Sequence, residues 1–95
     1  MDTEVKRKWI EALRSGDFKQ WRGALVATDG HDRWLCCLGV GFCIAKPDKD
    51  VGASWTDEAA EAIGLTVEQR EILVSMNDSE KRSFAEIADY IEANL

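Results

Sequence analysis

Three cysteines, Cys36, Cys37 and Cys43, fall inside one apolar stretch, "WLCCLGVGFCIA" at residues 34–45. Thiols can hold zinc or carry redox chemistry, and both uses set a spacing. Zinc takes about four ligands, often presented as CxxC pairs, and this chain contains no CxxC. On a helix the adjacent Cys36 and Cys37 would point about 100° apart, and Cys36 and Cys43 would share a face at a separation of about 10 Å. On a strand, neighbours face opposite sides. Neither geometry lets two of these thiols share an ion or close a disulfide. The flanking residues are small or apolar, so the stretch reads as core with buried structural thiols, and no metal or cofactor is expected. His31, the single histidine, sits in "DGHD" between Asp29 and Asp32. No paired nucleophile motif accompanies it, so it reads as a turn residue rather than a catalytic base.

Two other constellations could bind rather than react. Trp21 with Arg22 and Arg33 with Trp34 would suit a nucleotide, the indoles stacking on a base and the guanidiniums holding phosphate. The acids Asp78, Glu80, Glu86, Asp89 and Glu92 gather near the C-terminus. They read as the solvated face of an amphipathic helix, or, in a functional role, as a surface for a basic partner. The chain has no GxSxG, Walker loop, dinucleotide fingerprint or HExxH, and an enzyme is the least supported class.

Charge is unevenly spread. The net charge is −6, yet residues 1–46 carry 8 Lys/Arg against 6 Asp/Glu while residues 47–95 carry 4 against 12. An acidic half repels nucleic-acid phosphates, so direct nucleic-acid binding is not expected. The start, "MDTEVKRKW", is charged with no apolar h-region after it, which predicts no secretory leader. The longest apolar run is too short to span a bilayer. The expectation is a soluble protein of the cytosol, where an odd cysteine count fits reduced thiols.

These residues need elements to hold them. Ninety-five residues with 45% apolar content predict one globular domain, residues 1–95. Asp2 or Thr3 can cap a first helix whose stripe is Val5, Trp9, Ala12 and Leu13, with Gly16 at its end. "DFKQW" extends it as a short helical turn that brings Phe18 and Trp21 to the core. A small β-hairpin follows near residues 24–36, turning at Thr28–Asp32. The cysteine run fits a helix or a strand by pattern. Its length and the stop at Lys46-Pro47 favour a helix of about ten residues. Gly39 and Gly41 each weaken such a helix by about 1 kcal/mol, which predicts a close-packed neighbour. A polar loop spans 46–54. Thr56 then caps a helix that buries Ala59, Ala60 and Ile63 and closes at Gly64. Thr66 to Gln69 is a capping box opening a helix with Leu65, Ile72, Leu73 and Met76 inward, and Asn77-Asp78-Ser79 breaks it. Ser83 to Glu86 is a second box, opening a helix that buries Phe84, Ile87, Ala88, Ile91 and Leu95. The fold expected is mainly α, about five helices with one hairpin.

The order of three segments, "KWIEALRSGDFKQWRGAL", "CCLGV" and "VSMNDSEKRSFAEIADYIEANL", resembles a family of small uncharacterised phage and prophage proteins. Members show LRSG(Y/F)xQ, CCLGVLC and MND…SFxEIAxxIE segments. This chain departs at Gly41, where the family usually carries a larger apolar residue, and in a longer insert at "ATDGHDRW". The resemblance implies a phage-encoded accessory protein of the host cytosol and supplies no catalytic residues. The leading expectation is a non-enzymatic protein that binds a host protein, such as an anti-defence inhibitor of the anti-CRISPR kind. Contact would run through Glu86, Asp89, Glu92 and Asp78 or through the hairpin. The alternatives are a nucleotide-binding or sequestering protein using Trp21, Arg22, Arg33 and Trp34, and a metal or redox protein using Cys36, Cys37 and His31. An exposed tryptophan patch would equally suit a homodimer seam.

Overall fold

The computed structural model describes residues 1–23, 26–28, 33–49 and 56–95. The first helix, α1 (Thr3–Ser15), is capped by Asp2, whose carboxylate accepts from the amides of Glu4 at 2.7 Å and Val5 at 3.4 Å. Gly16 ends it in the left-handed region, φ 80°. Trp9, Ile10 and Leu13 form its buried face, so Ile10 joins the expected stripe while Val5 and Ala12 flank it half-buried.

The expected helical turn at "DFKQW" is not formed. Lys19–Gln20 is instead a two-residue strand, β1, that pairs in parallel with β3 (Arg33–Leu35). The left-handed Gly16 turns the chain out of helical geometry, and the backbone then finds partners on β3, with the Trp21 amide donating to the Leu35 carbonyl at 2.9 Å. Phe18 packs half-buried against the core, but Trp21 points outward. The expected hairpin is present: β2 (Val26–Thr28) pairs antiparallel with β3, giving the sheet order β1-β3-β2. Its turn, with Asp29, His31 and Asp32, lies outside the described residues, as do Ala24, Leu25, the side chain of Arg33, the end of the 46–54 loop and Trp55.

The cysteine run is a helix, α2 (Cys37–Ala45), almost wholly buried up to Phe42. Gly41 shows why an apolar helix tolerates a glycine. A Cβ there would stand 2.5 Å from Ile63 Cδ1 and 2.9 Å from Trp9 Cε2. The Trp9 indole cannot withdraw freely, because its Nε1 donates to the buried Cys37 carbonyl at 2.9 Å. Thr56, expected as a cap, is the first residue of α3 (Thr56–Ile63). Gly64, φ 92°, ends α3, and the Leu65 and Gly64 amides return to the Ala60 and Glu61 carbonyls.

Both capping boxes are formed, Thr66 with Gln69 at the start of α4 (Val67–Asp78) and Ser83 with Glu86 at the start of α5 (Phe84–Asn94). The expected break at Asn77-Asp78-Ser79 is where α4 ends, with Ser79 as its C-cap. α4 runs on through Asp78, and Asn77 is a buried residue within it. An asparagine disrupts a helix when its side chain competes for local backbone groups; here that side chain has distant partners instead. The described residues thus form a mainly α single domain of five helices and one small sheet. Among the described residues no helix is long and apolar enough to cross a membrane.

Candidate functional site

The buried amide of Asn77, 1% exposed, joins three elements. Its Oδ1 accepts from Gln20 Nε2 at 3.0 Å and from the Cys37 amide, the first of α2, at 3.2 Å. Its Nδ2 donates to the Trp21 carbonyl at 2.8 Å and to Asp78 Oδ1 at 2.7 Å. Two acceptor and two donor positions are all used, which is what a buried amide requires. Around this hub, the segment after β1 is bound to the turn between α4 and α5. Gln20 Nε2 donates to the Arg82 carbonyl at 2.7 Å, Arg22 to the Lys81 carbonyl at 3.2 Å, and the Gly23 amide to Asp78 at 3.0 Å.

Fixing the carbonyl of Trp21 fixes where its ring emerges. Trp21 is 42% exposed. Its ring centroid lies 6.1 Å from that of the half-buried Trp34 on β3, the planes tilted by 45°. The Lys19 ammonium sits 5.3 Å from the Trp34 centroid, within cation–π range. Of the four residues expected to form a ligand site, Trp21 and Trp34 are brought together, with Lys19 over Trp34, while Arg22 turns to the Lys81 carbonyl and the side chain of Arg33 lies outside the described residues. The two indoles touch each other rather than standing parallel with a gap for a base. An opening of about 40 Å³ beside Cys36, Cys37 and Asn77 has room for about one water. A larger groove of about 460 Å³ lies between α2 and α3, with Lys46 and Lys49 facing it as well as Glu58 and Glu61, so its charged lining is balanced.

The acids expected to meet a partner have intramolecular roles. Glu86 accepts from the Ser83 amide in the capping box and from Arg82 at 3.3 Å. Asp89 and Glu92 both receive the Arg14 guanidinium, at 2.7 and 3.2 Å, across the packing of α1 on α5. Asp78 accepts from Gly23 and Asn77. Hydrogen bonding lowers the carboxyls of Glu86, from the Ser83 amide and then Arg82, and of Glu92, from Arg14. Glu86, Asp89 and Glu92 nonetheless remain largely solvent-exposed.

Cys36 and Cys37 are in the core. Cys36 Sγ caps α2, accepting from the Gly39 amide at 3.4 Å, and Cys37 Sγ donates to the Leu73 carbonyl at 3.7 Å. A helix N-terminus favours thiolate, but burial dominates and pushes both thiols up. Thiols in this state are poor nucleophiles and poor ligands. Among the described residues, no three His, Cys, Asp or Glu side chains converge as metal ligands would. His31 lies outside them.

The fold and this surface define a small mainly α domain with a pair of tryptophans, Trp21 and Trp34, beside a polar seam. The chain belongs to the family described as a domain of unknown function, DUF8296, whose model matches residues 1–64. No curated protein and no solved structure matches it.

Asn77 and Lys19 escaped the reading of the sequence. Asn77 stands in the "MND" segment, so its position was marked by the resemblance but its buried role was not. Lys19 had no signal beyond its place in "KQWR".

Proposed function

We propose that this protein is a non-enzymatic, phage-encoded accessory protein that acts in the host cytosol by binding a host protein. An anti-defence inhibitor such as an anti-CRISPR is one form such a protein takes. The observation that carries this reading is Trp21, a large aromatic side chain held outward by bonds to its backbone and backed by Trp34. Interface energy concentrates in few residues, and Trp and Arg are enriched among them. A rigidly presented tryptophan also loses little conformational freedom on association. The nucleotide-sequestering alternative draws on the same side chains, but the mutual contact of the indoles leaves no slot for a base.

The test is affinity capture from host lysate with the intact protein, Trp21→Ala, and a Glu86→Lys/Asp89→Lys variant, read by mass spectrometry. One host protein retained by the wild type and lost from Trp21→Ala supports the reading and its surface. Loss only from the charge-reversed variant moves the contact to α5. No retained protein, together with nucleotide found by native mass spectrometry, overturns it in favour of ligand sequestration.

A further inference from the structure

We infer that residues 17–22 form a strap, hinged at Gly16 and Gly23, that swings off the helical core as a unit, carrying Trp21 with it and uncovering Cys36. The inference is independent of the protein-binding reading above. It starts from the two ends of the segment. Gly16 at φ 80° and Gly23 at φ 94° both hold left-handed backbone, and a Cβ at either would meet nothing within 4 Å. Each hinge thus stands in open space, where backbone rotation strikes no neighbour. Between them Asp17, Lys19, Trp21 and Arg22 are exposed, while Phe18 and Gln20 are half-buried.

The strap is held mainly by polar bonds. The Trp21 amide donates to the Leu35 carbonyl, Asn77 Nδ2 to the Trp21 carbonyl, Gln20 to Asn77 and the Arg82 carbonyl, and Arg22 to the Lys81 carbonyl. Water replaces such bonds at small net cost once it reaches them, and opening admits it to each. Nor does opening strand the buried hub. Asn77 keeps the Cys37 amide and Asp78, and β3 keeps β2 as its antiparallel partner. The core cluster is built on Trp9, Leu13, Leu73, Ile87 and Ile91, with Phe18 at its margin, so the helices stay packed. A segment with few apolar anchors and many surface bonds opens before its domain unfolds. The adjacent thiols then behave differently. Both border the small opening that Gly23 walls, but Cys36 follows directly on the Leu35 carbonyl that Trp21 holds and is 8% exposed even when the strap is closed. Cys37 is wholly buried and bonded to Leu73 of α4, so it stays with the core.

The experiment is native-state amide exchange of the full chain by NMR in rising, sub-denaturing urea. Thiol labelling under the same conditions is resolved between Cys36 and Cys37 by tandem mass spectrometry. The expected result is that the Trp21 and Gly23 amides and the Cys36 thiol report one opening. That opening should be about tenfold or more populated than the event that exposes the Leu73 and Ala88 amides and Cys37, and less dependent on urea. Two variants separate strap from core, with melting temperatures confirming that each folds. Gln20→Ala should raise the strap opening about tenfold. Ile91→Val should raise exposure of the core amides about fivefold and leave the strap opening and Cys36 labelling unchanged, because the opened state still contains the core. Strap and core probes that share one population and one urea slope would overturn the inference, as would Ile91→Val acting equally on both. Early exchange at Trp21 and Gly23 with Cys36 waiting for the core would also overturn it, since the strap would then not gate the thiol.

Discussion

Replacing Asn77 should be among the most damaging single changes in this chain. Asn77→Ala removes an amide that uses every hydrogen-bonding position it has. Gln20 keeps its bond to the Arg82 carbonyl, and Asp78 keeps the Gly23 amide. The Cys37 amide, however, is buried and loses its partner, while the Trp21 carbonyl can turn to solvent. One stranded buried donor and one lost part-buried bond together cost about 2–4 kcal/mol. For a domain of this size that is a drop in melting temperature on the order of 15 °C, out of a total stability of about 5–15 kcal/mol. Asn77→Leu separates the causes. Leucine fills comparable space but restores no hydrogen bond, so it should be destabilised nearly as much as alanine. Thermal and urea unfolding followed by circular dichroism would measure both. A leucine variant as stable as wild type would refute the polar-hub reasoning and leave only packing. Trp21 fluorescence should also shift in both variants, because the bond that holds its carbonyl is gone.

Gly41→Ala should lose up to about 2 kcal/mol, an overpacking cost of about 1–3 offset by roughly 1 of helix propensity; adding Ile63→Val, which removes the atom 2.5 Å from the new methyl, should recover part of it in urea titrations. The lowered carboxyls of Glu4, Glu86 and Glu92 contribute stability that is complete above the ordinary value of 4.5 and lost as pH falls through their depressed folded values. Arg14→Met should therefore lower the melting temperature at neutral pH and make less difference in acid, and equal effects at both would count against the Arg14 pairs. In native protein Cys36 and Cys37 should label slowly with a thiol reagent, their burial raising both, with the half-buried Cys43 reacting first; prompt labelling of all three would revive the redox alternative.

Local signals accounted for most of the helices. Asp2, Thr66 with Gln69 and Ser83 with Glu86 cap within three or four residues of themselves, so no tertiary knowledge was needed to find them. α2 was legible from its length and the Lys46-Pro47 stop. β1 was not, since two residues carry no alternation and their partner is a parallel strand 15 residues away. Asn77-Asp78-Ser79 has the composition of a break and α4 does end there, but no local signal shows that Asn77 would be buried with Gln20 and Cys37 as partners. The candidate surface was half legible. The tryptophans and Arg22 stood out by type, whereas the Lys81 carbonyl meets Arg22 only through the turn after α4. The acids read as a solvated face, and their pairing with Arg14, at the far end of the sequence, left no trace in local pattern.

The match to the family ends at residue 64, in the turn after α3, but the core does not. α1 makes its most extensive packing with α5, and Leu73, Met76, Ile87 and Ile91 complete the cluster around Trp9 and Leu13. Residues 1–64 alone would leave that face of α1 open to water and strand the first amide of α2 without Asn77. α5 is therefore the helix that closes the fold. During synthesis the face of α1 that α5 covers stays open to water until α5 emerges, and a stop codon before Phe84 should leave that face exposed and the domain strongly destabilised.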